Sequence, residues 1–195
     1  MIRLAREDDL ALVCRTAMRA FTDDPVMRWL IPDDDEYEEV YPSLFGGMFR
    51  RWTQDQTLWV TDELVAFGGW ERPGRPEVDL GEDIDYLPGE KVEHPADRFE
   101  RFVAIRETLA EVAPVEEHWY LNLLGTHPDW QRRGLGRTLM AEGFALADEA
   151  GVPCYLETET VANVAYYRHH GFEVSREWDL PLDGPHMWGM LRPAQ

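Results

Sequence analysis

The sequence predicts an α/β (α+β) domain in which helices flank a mixed sheet, and three observations carry that prediction. Between His118 and Glu157 a strand, a helix and a second strand follow one another, which requires parallel neighbours joined by a right-handed crossover. Residues 57–60 and 64–70 are apolar runs around the polar turn Thr61-Asp62-Glu63, a hairpin pattern that requires antiparallel neighbours. The 195 residues, 44% hydrophobic with eight Trp and eight Phe, suit one domain spanning 1–195 with a sizeable core.

Taken in order, Ile2-Arg3-Leu4 reads as a short first strand. Asp8 or Asp9 then caps a helix with Leu10, Val13, Cys14, Ala17 and Phe21 on one stripe, and Asp23-Asp24-Pro25 stops it. A second helical stretch shows Tyr37, Val40, Tyr41, Leu44, Met48 and Trp52 on one side, while Pro42 and Gly46-Gly47 inside it predict a break or kink. After the hairpin comes an acidic stretch, 71–93, punctuated by Pro and Gly, which reads as a functional lid, a partly ordered segment or a solvated loop. A helix from Pro95 to Pro114 places Phe102, Ile105, Leu109 and Val112 on its buried face. Strand 118–124 follows, then a loop and helix 134–150 with Leu135, Leu139 and Leu146 on one stripe. Gly151 caps that helix and Pro153 lies just beyond. Residues 154–157 form a strand, 163–170 a short helix ended by Gly171, and 172–175 and 187–191 the final strands.

A formal charge of −19 repels a phosphate backbone, so no nucleic-acid partner is expected; it either attracts a cationic substrate or serves solubility. No apolar run reaches the length of about eighteen residues that spans a bilayer, and the N-terminus turns charged before a signal-peptide core could form. No membrane partner and a cytoplasmic location are therefore expected. Cys14 and Cys154, far apart in apolar stretches, read as free buried thiols, and neither a disulfide nor a metal site is expected.

The chemistry concentrates in residues 124–137. Gly134 and Gly136 open a helix whose first N–H groups lack intrahelical partners and whose dipole favours an anion, and Arg132, Arg133 and Arg137 add positive charge to an otherwise acidic chain. This is a diphosphate cradle, or else the close packing of a helix on a strand with surface arginines. A dinucleotide fold would use Glu157 as its ribose acid. Leu139 stands where its third glycine belongs, however, and nine residues from Gly125 to Arg133 separate strand and helix, so a nucleotide-dependent oxidoreductase is disfavoured.

Gln131-Arg132-Arg133-Gly134-Leu135-Gly136 resembles the Q/R-x-x-G-x-G/A signature of the GNAT superfamily of N-acetyltransferases. Leu156-Glu157-Thr158 followed by Tyr166-Tyr167-Arg168-His169-His170-Gly171-Phe172 is similar to that superfamily's late strand and Tyr-x-x-x-Gly-Phe ending. Ile2-Arg3-Leu4-Ala5, Ala20-Phe21, Trp119-Tyr120-Leu121, Ala150-Gly151-Val152-Pro153 and Met190-Leu191-Arg192-Pro193 resemble, within it, the puromycin N-acetyltransferase family. The resemblance implies a mixed, mostly antiparallel sheet of about six to seven strands. It also implies acetyl-CoA as co-substrate and transfer to the primary amine of a small molecule by direct attack on the thioester. A non-catalytic acyl-CoA-binding or sensing module is the alternative. Dimers are common among similar proteins, and a homodimer is left open.

By that resemblance the main chain of Leu124, Gly125 and Thr126 holds the pantetheine arm. Gln131, Arg132, Arg133, Gly134, Leu135, Gly136, Arg137 and Thr138 form the turn that takes the diphosphate. Tyr167 matches the tyrosine that protonates the departing thiolate; otherwise it is a packed aromatic, the role expected of Tyr166. Glu157 is the expected base, against an ion-pairing or capping carboxylate, with His118 and His127 as weaker candidates. Asn163 is a further coenzyme contact or the N-cap of its helix: it lies four residues before Tyr167, while the superfamily's coenzyme asparagine lies seven before, where Thr160 stands. Substrate selection is expected from 23–35, the second helix and 71–93.

Overall fold

The computed structural model describes residues 1–74 and 95–195, and within them every side chain but those of Ser43 and Leu44. The expectation for 71–93 therefore lies outside the described residues beyond Gly74, as does the side chain of Leu44 on its stripe. Among the described residues seven strands form one sheet: β1 (Ile2–Leu4), β2 (Leu58–Thr61), β3 (Ala66–Glu71), β4 (Trp119–Thr126), β5 (Cys154–Thr158), β6 (Glu173–Asp179) and β7 (His186–Arg192), in the order β1-β2-β3-β4-β5-β7-β6. Only β4 and β5 run parallel; all other neighbours are antiparallel, so the sheet is mixed and mostly antiparallel as expected.

Period-two alternation divides the strands between two cores. Leu58, Val60 and Phe67 face helices α1 (Leu10–Ala20), α2 (Pro25–Leu30) and α3 (Asp34–Gln54), whereas Trp59, Ala66, Trp70 and Leu121 face α5 (Leu135–Ala150) and Val164 of α6 (Val161–His169). Helix α4 (Ala96–Val112) lies over the first core, against which Phe102 and Ile105 pack. Cys14 and Cys154 are both buried thiols. No helix of the described residues is long and apolar enough to cross a membrane.

Three expectations need correcting. First, α3 runs unbroken through Pro42 and the glycine pair. The proline costs about 3 kcal/mol in a helix interior, but Tyr37, Tyr41, Phe45, Phe49 and Trp52 are all buried along one side of it, each contributing about 1.5–3 kcal/mol. Second, Asp24-Pro25 stops α1 but also starts α2: the Asp24 side chain accepts from the Met27 N–H at 2.8 Å and Pro25 takes the first helical position. Third, the apolar face of α4 is half-buried, and the buried residue of that helix is Arg98, whose guanidinium pairs with Glu36.

Candidate active site

The centre of the sheet opens where its two parallel strands meet. β4 and β5 are in register only at Trp119↔Cys154 and Tyr120↔Tyr155. One step further, β4 bulges: Trp70 of β3 pairs with Leu121 but Gly69 with Leu123, leaving Asn122 as the extra residue and turning the strand away. Beyond the bulge β4 is paired with β3 alone. The His127 N–H donates to the Val65 carbonyl, which fixes the alternation of the antiparallel ladder. By that alternation Gly125 directs its main chain to Phe67 of β3, while Leu124 and Thr126 direct theirs to the opened edge. Gly125 is therefore placed for packing, since any side chain there would overlap the Phe67 ring. The Thr126 carbonyl accepts from Gln131 Nε2 at 3.3 Å, tying the strand to the turn that follows.

That turn enters α5 through two left-handed residues, Arg132 at φ 58° and Gly134 at φ 79°. Gln131, Arg132, Arg133, Gly134, Arg137 and Thr138 are exposed, and Leu135 and Gly136 half-buried, so the first amides of the helix face outward among three guanidiniums. Arg133 lies over the Trp130 ring at 4.6 Å and donates to the Asp129 carbonyl at 3.1 Å. At Gly136 a Cβ would come within 2.7 Å of the Tyr166 hydroxyl, which lies across the start of the helix. An open strand edge followed by a cationic helix N-terminus fits the pantetheine and diphosphate of a coenzyme A thioester.

A cavity of about 680 Å³ runs from this edge, lined by Leu124 of β4, Glu157 of β5 and residues of α2, α4 and α6. Glu157 points into it, with its pKa pushed up to about 7 by burial. The hydroxyls of Tyr120 and Tyr155 act against that shift and the charge of Glu71 adds to it. Glu71 is itself held by Arg51 at 3.0 Å and Asn122 at 3.2 Å. Tyr155 reaches the carboxylate because Gly189, opposite Glu157 in β7, has no side chain: a Cβ there would lie 2.7 Å from the phenol oxygen. That oxygen is buried and makes no hydrogen bond of ordinary geometry among the described residues. Of the other base candidates, His118 lines the cavity with Nδ1 2.8 Å from the Glu116 carbonyl, and His127 Nδ1 accepts from the Asp129 N–H at 3.3 Å to close its turn.

Tyr167 lines the same cavity, half-buried, its ring 5.8 Å from Phe172. Burial first, then the nearby charge of Glu159, raises its pKa, so the phenol is protonated throughout the neutral range. The packed-aromatic role expected of Tyr166 is not observed: that residue is 39% exposed. Nor does Asn163 cap α6. The cap is Thr160, whose hydroxyl accepts the Asn163 N–H at 3.1 Å, because the helix begins at Val161 and Asn163 lies inside its first turn. Asn163 instead lines the cavity and donates to Glu159 Oε1 at 3.3 Å. Glu159 in turn meets the carboxyl of Asp24, an acid pair that the sequence reading did not assemble. A weak signal was present, since Glu159 lies two residues beyond Glu157 and so continues the same side of the strand.

The profile of the acetyltransferase (GNAT) domain matches residues 97–174. The chain is similar to an uncharacterised N-acetyltransferase of Schizosaccharomyces pombe, 35% identical over 187 residues that cover 90% of this chain and 75% of that protein. Among solved structures it resembles the histone acetyltransferase HPA2 and related acetyltransferase of Corynebacterium glutamicum, with TM-score 0.67 and 20% identity over 100% of this chain and 96% of that one. Arylalkylamine N-acetyltransferase 2 of Aedes aegypti gives TM-score 0.65 and 10% identity over 100% and 99%. The PaiA N-acetyltransferase of Thermoplasma acidophilum, solved in complex with coenzyme A, gives TM-score 0.57 and 12% identity over 99% and 98%. At those identities the structural likenesses speak for the fold, and the fungal relative carries the assignment. With its opened β4–β5 seam, its glycine-bearing turn and its relatives in agreement, the chain belongs to the GNAT family of acetyltransferases.

Proposed function

We propose that the protein transfers the acetyl group of acetyl-CoA to the primary amine of a small cationic molecule by direct attack of nitrogen on the thioester. The observation that carries this reading is the meeting, in one cavity, of the open β4 edge, a carboxyl poised near neutrality and a protonated phenol. Main-chain groups of Leu124 and Thr126 hold the pantetheine arm. The turn from Gln131 through Arg132, Arg133, Gly134, Leu135, Gly136 and Arg137 to Thr138 holds the diphosphate. Glu157 removes a proton from the acceptor's ammonium, a task suited to a group that is part ionised at neutral pH. An N–H of the open edge stabilises charge developing on the thioester oxygen, and Tyr167 delivers a proton to the departing sulfur.

The walls point to the acceptor. Glu157, Glu159 and Asp24 line the cavity together with Met27, Phe45, Phe102 and Ile105, an acidic side and an apolar side that suit an amine carrying an apolar body. The test is thiol release from acetyl-CoA with a panel of amines, followed by mass analysis of the products. Small cationic amines are expected to gain an acetyl group, and Tyr167→Phe to lower kcat by about a hundredfold while leaving coenzyme affinity unchanged. Thioester binding without release for any amine would mark a non-catalytic acyl-CoA-binding module. Acetylation of peptide N-termini in preference to small amines would move the acceptor class.

A further inference from the structure

The Asp24–Glu159 pair has no part in the chemistry above, yet it lines the same cavity as Tyr167. Its two carboxyls come from distant points of the chain. Asp24 caps α2 through the Met27 N–H, and Glu159 directly follows β5 and accepts from Asn163. They meet side chain to side chain, and two carboxyls can hydrogen-bond only with a proton between them, because each is acceptor-only when ionised. Asn163 and Tyr167 are four residues apart on α6, so the residue that holds Glu159 and the phenol share one face of that helix.

We propose that Asp24 and Glu159 together hold the proton that passes to Tyr167 as Tyr167 gives its own to the departing sulfur. The proposal rests on Tyr167 acting as the acid. Tyr37 and Tyr41 of α3 face Asp24, Tyr167 of α6 faces both carboxyls, and Glu157 of β5 lines the same cavity. The neighbouring cation, Arg28, reaches Asp34 at 2.8 Å and lies over the Tyr37 ring. Burial first and then the charge of Asp24 hold Glu159 up to about 9, so the proton is in place throughout the neutral range.

Tyr167 alone is a poor acid for this step. Its pKa is raised, whereas an ordinary thiol has one of about 8.5, so unaided transfer to sulfur runs uphill. Backed by a carboxyl that is a stronger acid than the phenol, the same transfer is less uphill. The Tyr167 O–H bond breaks as the S–H bond forms, and the phenolate oxygen takes the proton held between the carboxyls. The acceptor's ammonium gives up two protons in becoming an amide, one by way of Glu157. One of the two restores the carboxyl pair, and the other passes to solvent.

Glu159→Gln tests this, since the amide keeps the shape and the hydrogen bond to Asp24 but carries no transferable proton. The expected result is a kcat lowered between about tenfold and a hundredfold, with the KM for acetyl-CoA unchanged and a neutral-pH Tm at or above that of the wild type. A second readout needs no turnover: the wild-type Tm is expected to fall as pH rises from the ordinary carboxyl range towards about 9 and to level off above it, and this fall to vanish in Glu159→Gln. Asp24→Asn, which preserves the cap of α2, is expected to lower kcat likewise and guards against misfolding of the first variant. A normal kcat in both variants, measured beside a slow Tyr167→Phe, overturns the relay and leaves Tyr167 as the acid. A normal kcat in Tyr167→Phe overturns both.

Discussion

Glu157 is pulled in two directions, by burial that disfavours its charge and by the phenols of Tyr120 and Tyr155 that favour it, and burial prevails. In the proposed role of base it works only when ionised, so kcat/KM is expected to rise with pH along a limb centred near 7. In Glu157→Gln that limb disappears and the neutral-pH rate falls about a hundredfold, as stopped-time thiol assays over pH 5.5–8.5 would show. The same group gives a stability prediction of definite sign. An acid whose folded pKa is raised from 4.5 to about 7 contributes stability below the lower value and loses it as pH rises through the upper one. Glu157→Gln is therefore expected to melt above the wild type at pH 8 and level with it at pH 4. At this scale the candidate base and acid were legible, because a carboxyl at a strand end and a Tyr-x-x-x-Gly-Phe ending are local patterns. Tyr120, Tyr155, Gly189 and the Asp24–Glu159 pair were not, since each acts only once segments far apart in sequence are brought together.

Among the elements, α5 is held from both ends of its first half. Tyr166 lies over Gly136 at its entry, and Trp70 of β3 fills the space beside Gly143 further along. Gly136→Ala is expected to displace Tyr166 and disturb the coenzyme turn, raising the KM for acetyl-CoA several-fold while kcat for bound substrates holds; steady-state kinetics at varied thioester would show the split. Gly143→Ala drives a methyl into the buried indole and is expected to cost about 1–3 kcal/mol, read as a lowered Tm. The elements also show where local reading fails. Pro42 and the glycines predicted a break or kink in α3, and a buried aromatic row carries the helix through without a break. Asp23-Asp24-Pro25 reads as a stop alone, whereas Asp24 also caps α2 with Pro25 in its first turn, and Met27 and Leu30 bury that short helix against the core. The cradle helix was legible to within a residue, because glycines mark both of its ends and need left-handed backbone there.

For the molecule as a whole, the mixed sheet followed from the sequence because crossover and hairpin impose opposite strand directions. The bulge at Asn122 did not, since no residue in β4 advertises it. The net charge of −19 acts at this scale too. It is expected to draw cationic acceptors towards the acidic cavity, so kcat/KM for a dicationic amine should fall as salt rises and shortens the screening length to about 8 Å at physiological strength. A neutral amine surrogate should show little change, and a flat salt profile for both would separate the overall charge from acceptor capture.

The bulge has one more consequence, for upkeep of the protein. Past Tyr120 the middle of the sheet is zipped on one side only, so the backbone amides of Leu124 and Thr126 should swap deuterium quickly in the apoprotein and slowly once a thioester lies alongside. Binding at a hundred times the dissociation constant adds about 2.7 kcal/mol to the folded state. Robustness to heat and proteases would then follow the abundance of acylated coenzyme, making longevity of the polypeptide a gauge of metabolic supply.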